Sequence, residues 1–284
     1  MTADRSATST VMGARCLAAY ALDVDGTLVG RDGVPEAAWH ALRRSRERGV
    51  RIGLCTGRLL AGATATLARR VDPAGVHVSQ SGAVVSDSDG RSIWSSSLST
   101  TAIEALTEVA AALPVDLELY WHDGFGAAQL TPAVRLHAEQ LGVEAAVVPV
   151  DDRPPVVTSA ACLVRNEDWA RVAPLLCELP DLQISPASTP WAPDLVFANV
   201  TVAGVSKGSA LSVVAKHLDI SLDRLAMVGD GENDLEAMQV AGVAVAMGSA
   251  PDGVTRVADI VVPDVDEDGL AVALAQLDRF LLPA

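Results

Sequence analysis

The sequence predicts an α/β protein: a doubly wound, Rossmann-like parallel sheet interrupted by an inserted α+β domain. Three observations carry this reading. At both ends of the chain, short and almost wholly apolar runs alternate with helical stretches, the pattern of strands buried on both faces. Between about residues 85 and 194 the texture changes to short strands of alternating polarity around a few helices. At Val205 the strand–helix rhythm returns, so a single sheet is expected from two separated pieces of chain. The expected divisions are a loose tail over residues 1–13, a core over 14–84 and 195–284, and an inserted cap over 85–194.

The elements follow in order. CLAAYAL, residues 16–22, is a buried strand ending in DVDGTL at 23–28. Pro35 opens a helix with Ala38, Leu42 and Trp39 turned inward and Gly49 closing it, and the cluster Arg43, Arg44, Arg46 and Arg48 reads as a solvated face. VRIGLC is the second buried strand and runs into TGR; a helix over 59–70 and a third strand at 76–79 follow. In the insertion, RSIWSS, VDLELYW, EAAVVPV, SAACLVR and DLQIS are strands, and helices are expected over 101–113 and 167–179. Thr131 and Pro132 suit the N-cap and first turn of one more helix. The second core piece holds a helix over 207–217, the strand RLAMVGD, a helix over 233–241 and the strand VAVAM. A short helix after Pro251, the strand DIVVP and a last helix from Asp268 complete it.

At 284 residues with half of them apolar, the chain can bury one large or two medium cores. The net charge of −15 argues against a nucleic-acid partner. The longest run without a charge, Ala237 to Pro251, is fifteen residues, short of the roughly 18 that a membrane helix requires. The polar first thirteen residues do not read as a signal peptide, so the expectation is a cytoplasmic protein with no membrane partner, acting as a monomer or homodimer. Cys16, Cys55, Cys162 and Cys177 form no CxxC pair and read as buried, reduced thiols, and no histidines lie at the i, i+4 spacing of a helical zinc pair.

Ligands of doubly wound sheets bind at the C-terminal strand ends, and there this sequence places mainly acids. Asp23 and Asp25 follow the first strand, Asp230 ends the strand at 224–229, and Asp234 begins the next helix. Four carboxylates at one edge repel, and a divalent cation with all-oxygen ligands, magnesium above all, relieves that repulsion. Taken alone, DVDGTL is equally readable as a turn that suits Asp and Gly. An EF-hand fails on spacing: its Gly and twelfth-place acid fall on Leu28 and Val34 counting from Asp23, and on Leu235 and Ala241 counting from Asp230. Thr56 ends the second strand, and Lys207 opens the helix after the insertion. Because 19 of the 21 basic residues are Arg, a lysine at that place goes against the habit of the chain, and its compact charge suits a phosphate.

DVDGTL, CTGR, GVSKGSAL and GDGENDLEAM, in that order, resemble the four motifs of the haloacid dehalogenase-like phosphatases, and AGVAVAMGSAPDGVTRVADIVV followed by DEDGL resembles the end of the Cof-type subgroup. The resemblance covers about residues 16–84 and 195–280 and implies that fold as the core, with the insertion as an α/β cap. It implies that Asp23 attacks phosphorus, forming an aspartyl phosphate, and that Asp25 protonates the leaving alcohol and then activates water. It also implies Mg2+ on Asp23, the carbonyl of Asp25, Asp230 and Asp234, and phosphoryl oxygens held by Thr56, Gly57, Lys207 and Asn233. Ser81, Cys55 and Asn199 depart from the family pattern, which has Asn, a small residue and an acid at those places.

The cap is expected to contact the leaving group through Trp121, His122, Asp123 and Arg165, with Trp94 and Trp191 as further candidates, and to hinge near Gly82–Asp87 and Pro190–Asp194. Small phosphorylated metabolites such as sugar phosphates, and pyridoxal or flavin phosphates on the family resemblance, are the expected substrates. The alternatives are a protein that binds a phosphorylated metabolite as a regulator and a sugar phosphomutase using the same site.

Overall fold

The computed structural model describes residues 16–149, 152–189 and 191–281; the expected tail over 1–13 lies outside them. Its core sheet has five parallel strands in the order β14-β13-β12-β1-β2. These are β1 (Ala19–Leu22), β2 (Arg51–Leu54), β12 (Leu225–Gly229), β13 (Val243–Ala246) and β14 (Ile260–Val261). Successive side chains of β1 part to opposite faces, and both faces are covered. Tyr20 and Leu22 join the cluster under α1 (Glu36–Glu47) and α9 (Gly269–Leu277), while Ala19 and Ala21 join the cluster under α6 (Lys207–His217) and α7 (Leu235–Val240). That two-sided burial is why the strand sequences are runs and not alternations.

Two core expectations need correction. The arginines of α1 do not form a plain solvated face: Arg44 and Arg48 converge on the buried carboxylate of Asp278, at 3.2 and 3.5 Å, and Arg46 lies 3.8 Å from Asp72. Asp278 also accepts hydrogen bonds from Ser45 and Tyr20, so the cluster ties α1 to β1 and the C-terminal turn. The third strand, β3 (Val76–Ser79), does not extend the parallel ladder; it touches β2 at one bridge, Cys55 to Val78, and pairs antiparallel with β4 (Val84–Asp87), which pairs with β5 (Ser92–Ser95). Side chains take the backbone groups that a ladder would have used: Ile52 N–H donates to Asp72 and Leu54 N–H to His77 Nδ1. Of the cysteines, Cys55 and Cys162 are buried as expected, but Cys16 is half-buried and Cys177 is exposed at the end of its helix; all four are unpaired.

The insertion carries a six-stranded sheet in the order β10-β11-β9-β6-β7-β8. Its strands are β6 (Val115–Tyr120), β7 (Phe125–Ala127), β8 (Ala146–Val147), β9 (Ser159–Arg165), β10 (Leu182–Thr189) and β11 (Ala192–Val202). α3 (Thr100–Ala112) and α5 (Asn166–Cys177) cover one face, and α4 (Pro132–Leu141), capped by Thr131 with Pro132 in its first turn as expected, lies on the other, toward the core. The chain changes sheet outside the expected divisions at 84/85 and 194/195. β4 pairs with β3 and β5 with β4, and β11 belongs to the cap sheet up to Val202, because its backbone partners are Arg165 to Ala160 of β9 and, to Val202, the residues of β10. Among the described residues no helix is long and apolar enough to cross a membrane.

Candidate active site

The C-terminal edge of the core sheet gathers the acids. Asp23 follows β1, its N–H donating to Val228 O of the neighbouring strand, and Asp230 follows β12. The turn after Asp25 passes so close to Asp230 that a Cβ on Gly26 would sit 2.3 Å from Asp230 Oδ2, and Gly26 has φ +83°. Glycine is therefore required twice over at this place. Thr27 donates to Asp230 Oδ1 at 2.9 Å and pins the two loops together.

Lys207 reaches this edge from the far side of the insertion. Ser206 caps α6 in a reciprocal box with Ser209, and Gly82 (φ +105°) lets the loop after β3 press on the backbone of Ser206, where a Cβ would lie 2.2 Å from its carbonyl oxygen. The result is an ammonium with 1% exposure that donates to Asp23 Oδ1 and to Asp234 Oδ1, both at 2.6 Å. Asp234 Oδ2 accepts the N–H groups of Asp230 and Gly231 at 3.1 Å each, so both its oxygens already serve the protein.

Ligand atoms of Asp23, Asp230 and Asp234 all lie within 4.8 Å of one another. Burial pushes the carboxyl of Asp23 up and, with the nearby Asp234, lifts that of Asp230 to about 6. Burial alone would lower Lys207, but Asp23 and Asp234 outweigh it and hold its pKa above the ordinary lysine value. Three buried or half-buried carboxylates against one ammonium make an all-oxygen donor set that fits a hard divalent cation.

Above the acids lies a cavity of about 390 Å³ between core and cap. Asp23, Asp25, Thr56, Gly57, Asp230 and Asn233 line its core side, so the structure brings these expected site residues together; Lys207 and Asp234 are packed within the same cluster. The cap expectations fare differently. Trp121, His122, Asp123 and Arg165 do not line this cavity. Residues 121–123 form the turn between β6 and β7 and pack against the β4–β5 turn, where the His122 Nε2–H donates to Gly90 O at 2.6 Å. Arg165 is exposed at the end of β9. Instead the cap presents Tyr120, His137, Thr189, Trp191 and Phe197, of which sequence reasoning had singled out Trp191 alone. One signal was available: alternation along β6 places Asp116 and Glu118 on the same face as Tyr120, opposite Val115, Leu117 and Leu119. Arg58, the last residue of CTGR, was also given no role; its guanidinium grips Asp25 with two bonds of 2.8 and 2.6 Å.

The family model of the haloacid dehalogenase-like hydrolases matches residues 20–274. The chain belongs to that family. The resemblance carried by the four motifs is thus borne out, and the hydrolase has near full-length relatives. It is 25% identical to the 5-amino-6-(5-phospho-D-ribitylamino)uracil phosphatase YitU of Bacillus subtilis over 270 residues, 88% of this chain and 94% of that one. A solved structure of the phosphatase BT1666 from Bacteroides thetaiotaomicron superposes with a TM-score of 0.75 at 28% identity, covering 94% of this chain and 97% of that one. A phosphoglycolate phosphatase of Archaeoglobus fulgidus matches over a shorter stretch, 43% identical over 72 residues, a quarter of this hydrolase and 32% of that protein. The core-and-cap α/β fold expected from the sequence is the fold of these neighbours.

Proposed function

We propose that this hydrolase is a magnesium-dependent phosphatase of small phosphate monoesters, working through an aspartyl phosphate on Asp23. The observation that carries the reading is the convergence of Asp23, Lys207, Asp230 and Asp234 beneath a cavity that Asp25 also lines. The names of the relatives, phosphatases of small phosphorylated metabolites, support it.

Lys207 engages Asp23 Oδ1, which leaves Oδ2 to attack. The new O–P bond forms as the ester oxygen departs, and Asp25 gives that oxygen a proton, later taking one from the water that cleaves the acyl phosphate. Phosphoryl transfer needs positioning and charge neutralisation more than unusual covalent chemistry. The Thr56 hydroxyl, the Gly57 amide, Asn233 and Lys207 are the groups that would hold the phosphoryl oxygens. Asp23, the carbonyl of Asp25 and Asp230 would hold Mg2+, with Asp234 bracing the loop and Lys207 through its own hydrogen bonds. When bound, the cation supplies charge neutralisation at the phosphoryl group. In this reading the cap comprises about residues 98–202, between the places where the chain changes sheet. The unpaired cysteines suit a reducing compartment such as the cytoplasm.

The test is phosphate release from a panel of sugar, nucleotide, pyridoxal and flavin phosphates, with magnesium and with EDTA, for the wild type and Asp23→Asn. Release should require the metal and fall at least about a thousandfold in the variant, since an amide neither attacks nor balances a cation. Activity retained by Asp23→Asn would remove Asp23 as nucleophile.

A further inference from the structure

The loop that follows β2 belongs to the core, yet part of it is seated in the cap. Leu59 is 1% exposed, and among the described residues it is the one core side chain in the buried cluster that includes Tyr120, Phe125, Leu141, Leu163 and Phe197 of the cap. Its neighbour Leu60 turns the other way and packs on the core cluster that holds Leu22 and Leu28. Gly62 (φ +51°) then opens α2 (Gly62–Val71) directly against the end of α4, where a Cβ would lie 2.4 Å from Gly142 O and 2.7 Å from Leu141 O. Two adjacent leucines are thus anchored on opposite sides of the boundary between core and cap. Their Cα atoms are only about 3.8 Å apart, so a shift of the cap against the core is felt within this loop.

The same loop carries groups of the site. Thr56 and Gly57 precede Arg58, which donates Nε–H to Asp25 Oδ2 at 2.8 Å and Nη2–H to Oδ1 at 2.6 Å. Among the described residues no other group hydrogen-bonds that carboxylate, so its direction is set by the planar fork of Arg58. Each oxygen accepts one bond and keeps a second lone pair for substrate or water. A second tie joins the loop to the cap. Arg58 O accepts the Gln80 N–H at 2.9 Å and Thr56 O accepts the Ser81 N–H at 3.1 Å, while the Gln80 side chain bonds Trp121 O, Thr158 and Ser159 of the cap. Arg58 is therefore braced by two groups that the cap holds, Leu59 through packing and Gln80 through hydrogen bonds.

We propose that Arg58 is a positioning residue for Asp25 and that the cap sets its place through Leu59 and Gln80, so that seating of the cap orients the group that protonates the leaving alcohol. The proposal rests on the phosphatase reading above and deepens it by naming what directs Asp25. An orientation effect of this kind acts on the step in which Asp25 takes part and not on the hold on the phosphoryl group. It weighs most on poor leaving groups, which need the proton most. Leu59 has a plain structural use as packing as well, so a cap variant remote from the loop serves as the comparison.

The measurement is kcat/KM with magnesium for phenyl phosphate and para-nitrophenyl phosphate, esters of similar shape whose alcohols differ in acidity. It compares the wild type, Arg58→Gln, Leu59→Ala, the double variant and Leu106→Ala. Leu106 is fully buried on the face of the cap sheet that α3 and α5 cover, so its truncation loosens the cap without touching the loop. The ratio between the esters cancels any difference in the amount of folded enzyme. Arg58→Gln should lower the phenyl-to-nitrophenyl ratio by at least about tenfold, and Leu59→Ala by about threefold to tenfold. The double variant should fall no further than Arg58→Gln, because Leu59 acts through it, and Leu106→Ala should keep the wild-type ratio. A ratio unchanged in Arg58→Gln would overturn the positioning role. A ratio unchanged in Leu59→Ala, lowered as much in Leu106→Ala, or lowered additively in the double variant would overturn its dependence on the cap. Hydrogen exchange at Gly26, Leu28 and Val29, whose amides close the turn after Asp25, keeps this separate from the fate of the phosphatase reading. Should the wild type hydrolyse neither ester, that reading falls. Exchange there that quickens by about threefold or more in Arg58→Gln and in Leu59→Ala, but not in Leu106→Ala, still upholds the link from cap to Asp25, and exchange unchanged in Leu59→Ala sinks it.

Discussion

Lys207 sits with 1% of its side chain exposed between two carboxylates, each 2.6 Å from its ammonium. Removing one partner of such a buried arrangement leaves charge that nothing compensates, which typically costs about 3–5 kcal/mol. Lys207→Met should therefore lose stability on that order in urea unfolding without metal. Magnesium should restore more of it in the variant than it adds to the wild type, because a ligand that binds the folded state alone stabilises by mass action. A variant as stable as the wild type in EDTA would show that the acids share protons and do not rely on the lysine. Asp25 is a different case at the same scale: its carboxylate is gripped by a planar fork from Arg58, a geometry that a lysine would not reproduce.

At the scale of elements, the outer edge of β2 meets β3 at a single bridge, and side chains take its remaining backbone donors. His77 accepts Leu54 N–H at Nδ1, so its proton is on Nε2, which donates to Ser88 Oγ at 2.7 Å; Ser88 in turn donates to Asp72 O at 2.6 Å. The ring is fully buried, and burial lowers its pKa from 6.5 to about 4. The unfolded chain then takes up this proton first as pH falls. The contribution of a neutral His77 is complete above about pH 6.5 and is lost progressively toward pH 4, by about 3 kcal/mol. His77→Phe should be less stable than the wild type at pH 7.5, with the gap narrowing by roughly that amount at pH 4; a gap independent of pH would mean that His77 titrates normally.

At the scale of the whole molecule, one core side chain makes three hydrogen bonds to the cap. Gln80, at φ +51° in the turn after β3, donates to Trp121 O at 2.9 Å and accepts from Thr158 and Ser159 at 2.5 and 2.8 Å. Three cap groups, in the β6–β7 turn and at the start of β9, thus bond to it, two of them on the buried residues Thr158 and Ser159. Gln80→Asn keeps a residue that tolerates this backbone but is one methylene too short. Amide exchange around residues 121 and 158–159 should quicken by about tenfold, the effect of roughly 1–2 kcal/mol of lost bonding, while β1 and β12 stay protected. Unchanged exchange would mean that the bonds of Gln80 do not hold this part of the cap in place.

How much of this was legible in the sequence follows from what acts locally. The apolar runs of β1 and β12, the Thr131–Pro132 helix start and the acids after each strand are properties of adjacent residues, so the doubly wound core and the placing of Asp23, Asp25, Thr56 and Asp230 at its edge could be read directly. Lys207 stood out as a lysine in an arginine-rich chain. The cap was another matter. Trp121, His122 and Arg165 are as polar and aromatic as His137, Thr189 and Phe197, and only the pairing of β11 with β9 and the seating of α4 on the sheet decide which set faces the cavity. The fold class, the core's acidic edge and the family resemblance were thus readable before any contact was known. The sheet to which β4, β5 and β11 belong, the grip of Arg58 on Asp25 and the cap residues that line the cavity came only with the folded arrangement, because these depend on contacts between segments far apart in the chain.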